Sequence, residues 1–157
     1  MEKTECQCNE CKRACEHNPG WFMPGEVEIA AQHLGLPLQE FFEKNLGVNW
    51  WEAGDEIENN IFVLAPALVG EEPGYEYPGD PRGTCVFYKD GKCSIHAVKP
   101  FECAQFLHGQ EFEMVHERHK AVAMAWQDRQ EQIKELLGHE PEASEFTSGL
   151  FGMLGLW

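Results

Sequence analysis

Seven cysteines stand in two blocks: Cys6, Cys8, Cys11 and Cys15 in "CQCNECKRAC", then Cys85, Cys93 and Cys103. Thiols at such spacings can form disulfides, exchange electrons or hold a metal ion. An odd count cannot pair off completely, which argues against a disulfide framework. Cys8 and Cys11 have the spacing that lets two sulfurs of one loop reach one ion. Cys85 and Cys93 flank a hairpin turn, and Cys103 follows Pro100. Each block alone offers too few well-spaced ligands for a closed site. Joined, they supply four thiolates, and closing the intervening loop of about 70 residues costs little extra entropy. The candidate metal ligands are therefore Cys8, Cys11, Cys15, Cys85, Cys93 and Cys103. Cys6, His17 and His96 are the alternates. All-sulfur ligation suits either a Zn2+ ion or a [4Fe-4S] cluster.

Charge is distributed unevenly around these thiols. Twelve basic and twenty-seven acidic residues give a net charge of −15. Such a chain is repelled by phosphate backbones and anionic lipids, so no nucleic acid and no membrane surface is expected as a partner. Yet seven of the twelve basic residues lie within four positions of a cysteine: Lys3, Lys12, Arg13, Arg82, Lys89, Lys92 and Lys99. Nearby cations favour thiolates, the form that binds metal, and would offset the charge of a tetrathiolate. The plainer alternative is that these lysines decorate turns.

"CNECKRAC" followed by "CVFYKDGKCSIHAVKPFECAQF" resembles the YkgJ-type cysteine-cluster family, also called the CxxCxxCC family of zinc- or iron-chelating proteins. The resemblance spans about residues 6–107. In it Cys8, Cys11 and Cys15 match three of the first four family cysteines, and Cys85, Cys93 and Cys103 match the later three. Ile95 and Pro100 are in register. Ala14 stands where a cysteine would be, with Cys6 extra. His96 replaces a tyrosine, Lys99 an arginine, and Ala104 the arginine after the last cysteine. The resemblance implies metal chelation. Through relatives linked to an iron–sulfur cluster and to protein methylation, it favours the cluster over zinc and suggests a methylase component as an alternative.

The remaining histidines and carboxylates read as structural. His17 reads as a polar turn residue and His96 as a packed aromatic substitute. His119 lies on an apolar helical stripe, where a satisfied core histidine is commoner than a ligand. Glu113-x2-His116 resembles half of a di-iron carboxylate motif, but such sites need two pairs and further glutamates. No GxSxG, P-loop or GxGxxG is present, so no catalytic constellation is visible.

The elements that must position these residues follow from periodicity. At 157 residues one domain is expected, with its core over about 6–138 and an apolar, glycine-rich tail at 139–157 that could pack on the core or on a protein partner. Val27, Ala30, Ala31 and Leu34 predict one helix closed by Gly35. Leu38, Phe41, Phe42 and Leu46 predict a second, opened by Pro37. The pair suggests a structural helical hairpin; acidity argues against a DNA-reading helix-turn-helix. The acidic stretch 50–60 is expected as a loop or short helix. "IFVLAPALV" is strand-like until Pro66 ends it or sets it at an edge. Residues 70–83 are expected as a loop.

"CVFYKDGKCSIH" predicts a hairpin turning at Asp90–Gly91. A strict two-residue turn pairs Tyr88 with Cys93 and points Cys85 and Cys93 to opposite faces. A bulged three-residue loop pairs Phe87 with Cys93, and would be required if both cysteines bound one centre from within the ladder. From about 111 to 138, Phe112, Val115, His119, Val122, Trp126, Ile133 and Leu136 predict a long helix closed by Gly138. The fold class is thus α+β, mainly helical, a small metal-stapled domain. The N-terminus lacks the apolar stretch of a signal peptide and no run approaches the ~20 apolar residues of a span. A cytoplasmic setting, where stable disulfides are rare, is expected. The function expected is a metal-binding protein with a structural or electron-handling centre, the alternatives being a methylase-like component or a thiol redox switch.

Overall fold

The computed structural model describes residues 15–17, 19–51, 60–76, 83–105 and 112–141. Cys6, Cys8, Cys11, the stretch 52–59 and the tail from 142 onward lie outside the described residues. The fold is α+β and mainly helical, with five α-helices, a three-stranded sheet and a separate two-stranded hairpin among the described residues.

The predicted helical hairpin is present. Helix α1, Glu26–His33, buries Val27, Ala30 and Ala31. It ends where Gly35 takes a left-handed φ of 70°, a conformation that glycine adopts without cost. Pro37 is the N-cap of α2, Leu38–Asn45, which buries Phe41 and Phe42. The helix then stops earlier than its apolar pattern suggests. Leu46 is already extended and opens strand β1, Leu46–Trp51. Val48 and two tryptophans suit a pleated surface and outweigh the helical register of Leu46. The Trp50–Trp51 pair therefore belongs to a strand rather than to a loop.

Strand β2, Ile61–Pro66, pairs antiparallel with β1 from Leu46↔Pro66 to Trp51↔Ile61. Strand β3, Tyr75–Glu76, adds in parallel to the other side of β1, inside the region expected as loop. β2 is thus an edge strand and Pro66 ends it, as its chemistry requires. Its outer rim is not left bare. Phe22 N–H donates to Leu64 O at 2.9 Å. The Gln130 carboxamide both accepts from Phe62 N–H and donates to Phe62 O, each at 2.9 Å.

The hairpin strands β4, Tyr88–Lys89, and β5, Lys92–Cys93, are followed by a 3-10 turn, His96–Val98, and by α3, Phe101–Gln105. The long C-terminal helix is interrupted: α4, Phe112–Trp126, gives way to a 3-10 turn, Gln127–Arg129, before α5, Gln130–Leu137. Between Trp126 and Ile133 the apolar stripe has no member, because Arg129 and Gln130 occupy the next-turn positions. Gly138, with φ 81°, caps α5. Helices α4 and α5 lie on β2, and the fully buried Phe22, Phe41, Phe42, Leu46, Leu64, Trp126 and Ile133 fill the core.

Candidate metal centre

Three stretches of chain bring four thiols to one corner. Residues 15–17 are helical and run beside 83–88. Cys85 N–H donates to Cys15 O at 2.7 Å, and Gly83 N–H to His17 O at 2.9 Å. The Thr84 hydroxyl donates to Glu16 O at 3.2 Å, and the Tyr88 hydroxyl to Glu16 Oε1 at 3.4 Å. Cys103 arrives on α3, beneath Gly20. A Cβ on Gly20 would lie 2.6 Å from Glu102 Cβ and 3.1 Å from Cys103 Sγ, so this close approach requires glycine.

The hairpin takes the strict form. Tyr88 pairs with Cys93 and Lys89 with Lys92, with Asp90 and Gly91 both at positive φ, 52° and 77°. That is the two-residue turn whose twist matches the strands. Cys85 lies outside this short ladder, and Cys93 still raises its pKa. Tyr88 N–H bonds back to Cys85 O at 3.0 Å, closing a turn over 85–88. The bulge predicted for two cysteines within one ladder is not needed.

All six pairs among Cys15, Cys85, Cys93 and Cys103 interact electrostatically. Cys93 acts on Cys15; Cys15 and Cys93 act on Cys85; and all three act on Cys103. Burial is the largest effect at each of the three shifted thiols. It raises Cys15, pushes Cys85 up to about 12 and holds Cys103 well above the ordinary thiol value, with the neighbouring sulfurs adding to the shift. Opposing this, backbone hydrogen bonds from Phe87 and Tyr88 favour the Cys85 thiolate, and one from Gly20 favours that of Cys103. None of the four is in a disulfide.

Desolvation outweighs the cations among the described residues, while Lys3, Lys12, Arg13 and Arg82 lie outside them. Lys89 and Lys92 are exposed and decorate the hairpin. Lys99 is different. It is buried, at 8% exposure, and its ammonium draws the Cys15 thiol down. His17 is exposed at the end of its helical turn. His96 is exposed too, not packed as an aromatic substitute would be. Gly20, and Glu102 beside Cys103, went unnoticed in the sequence; the "PGW" and "FEC" neighbourhoods carry no spacing signal that marks them.

The donor set is that of a thiophilic ion: four sulfurs, backbone amides turned to two of them, and a buried lysine. As they stand, no group of three or more His, Cys, Asp or Glu side chains among the described residues is arranged to hold a metal ion.

A second cluster lies across Glu102. This carboxylate, 6% exposed, accepts Trp21 N–H at 2.8 Å on Oε2 and His119 Nδ1 on Oε1. The His119 ring stacks on Trp21, with centroids 4.1 Å apart and planes 15° apart. Trp51 packs edge-on to Trp21 and His119 and lies 5.0 Å from the His116 ring. His119 is thus satisfied, as its stripe position predicts.

No protein-family model matches this chain, and neither does any curated protein or solved structure. Among the described residues no helix is long and apolar enough to cross a membrane.

Proposed function

We propose that this is a metal-binding protein whose centre, a Zn2+ ion or a [4Fe-4S] cluster, is held by cysteines from distant parts of the chain, in a cytosolic setting. Cys15, Cys85, Cys93 and Cys103 are the ligands assigned, with Cys8 and Cys11 of the N-terminal block as further members of the set. The observation that supports this reading is the convergence of early and late segments, with Cys85 N–H on Cys15 O at 2.7 Å and Gly20 packed against Cys103. Zinc would act as a structural staple for the corner; a cluster would add one-electron chemistry. The protein groups have defined tasks in either case. Amides of Gly20, Phe87 and Tyr88 stabilise the thiolates, and the Lys99 ammonium offsets part of their charge. Anaerobic purification and elemental analysis test the proposal. About one zinc or about four irons per chain are expected, with loss of metal in Cys93→Ser and Cys103→Ser. Folded wild type carrying no metal after reconstitution with either would refute it.

A thiol redox switch is the second reading, favoured by the partial exposure of Cys15 and Cys93. Two thiols and one peroxide would give a disulfide and two waters. Mass spectrometry after peroxide treatment decides: unchanged thiols remove this reading.

A further inference from the structure

We propose a second, separate metal site: His116 and His119 form a two-imidazole chelate for a divalent transition ion of the nickel, copper and zinc class. It lies on the side of α4 that carries Trp51, and its ligands are distinct from the thiols.

The spacing comes first. Residues three apart on a helix are surface neighbours, with Cβ atoms about 5–6 Å apart, so both imidazoles can reach one ion. The ring contacts put both on the same side of the helix, since Trp51 packs against His116 and His119 alike. The orientation of His119 is fixed by Glu102. With Nδ1–H donated to the buried carboxylate, Nε2 carries the lone pair, and the side chain is 27% exposed. A carboxylate behind an imidazole is the outer-shell arrangement that holds metal-ligating histidines and raises their basicity. Packing alone does not call for it: a histidine stacked on Trp21 needs one neutral acceptor, whereas a buried carboxylate carries a desolvation cost. Both Glu102 oxygens are engaged, so the carboxylate cannot turn away from the ring. Imidazole ligands select this class of ion, and the net charge of −15 draws cations to the surface. With two protein ligands, water fills the remaining positions, which accords with the lack of any described three-residue group.

The test uses untagged full-length protein purified with zinc and dialysed into zinc-free buffer. Nickel ion is titrated while tryptophan emission is read, since Trp51 touches both imidazoles and a bound paramagnetic ion quenches it. Saturable quenching is expected for the wild type. His116→Ala, at an exposed position, keeps the far-ultraviolet dichroism and weakens nickel binding at least about tenfold. Glu102→Gln, which positions rather than binds, weakens it about tenfold or more while His116 remains. A His116→Ala titration that overlays the wild type overturns the proposal. Because the readout is the difference between two proteins with the same thiols, failure of the thiol centre to hold zinc leaves this result standing.

Discussion

The sheet half and the cysteine corner of this molecule are built on different principles. Between β1 and β2 six residue pairs form a continuous ladder, and fully buried Phe22, Phe41, Leu64 and Trp126 close over it. The cysteine corner has a two-pair hairpin, a five-residue helix and turns; it buries Cys85, Lys99 and Glu102 and half-buries Cys15 and Cys103. Apolar burial holds the first half by itself. The second adds Phe87 and Ile95 to the apolar core but also takes thiols out of water, which costs free energy. A centre that bonds those sulfurs would repay that cost, and this contrast is what a metal reading explains.

Breaking the sheet half has the largest effect. Trp126→Ala removes a fully buried indole and its 2.7 Å hydrogen bond to Phe22 O, and is expected to cost about 3–5 kcal/mol in denaturant unfolding. Alkaline pH separates the two halves next. In the metal-free protein Cys85 keeps its proton up to about 12, while the unfolded chain releases it above its ordinary 9.0. A raised folded value gives stability that is whole below pH 9 and is lost as pH climbs towards 12, at about 1.4 kcal/mol per unit. Loss of the Cys85–Tyr88 region first, read by hydrogen exchange or tyrosine signals, is expected; zinc or iron present as thiolate ligation should abolish this slope.

Gly20→Ala sharpens the comparison inside the corner. The added methyl meets Glu102 Cβ and the Cys103 backbone, so about 1–3 kcal/mol of stability is expected to go, together with metal retention. Gln130→Ala acts only on the sheet, freeing both backbone groups of Phe62. It should cost about 1–2 kcal/mol and leave metal content unchanged.

Much of the fold was legible because its periodicity is local. Val27, Ala30 and Ala31, the Pro37 cap, Pro66 at the end of an edge strand and the Asp90–Gly91 turn each follow from a short-range rule. Leu46 misled because it satisfies the helical stripe of α2 and the first position of β1 at once, and neighbouring Val48 and Trp50 decide between them. The break at Gln127–Arg129 was visible as a missing apolar position, but not its use: Gln130 turns to close the rim of β2, which depends on a strand 68 residues away. At the site, Cys15 lies beside the late cysteines, as joining the two blocks predicts, while Cys6, Cys8 and Cys11 lie outside the described residues. The sign of their titration was not, because desolvation depends on packing that no spacing reveals. Glu102 and Gly20 were invisible for the same reason.

X-ray absorption at the edge of whichever metal the purified protein carries is the most direct test of a shared thiol centre. A first shell of about four sulfurs near ~2.3 Å is expected in the wild type, and its loss together with the metal in Cys103→Ser. A shell of nitrogen and oxygen, or sulfur coordination unchanged by that substitution, would contradict it.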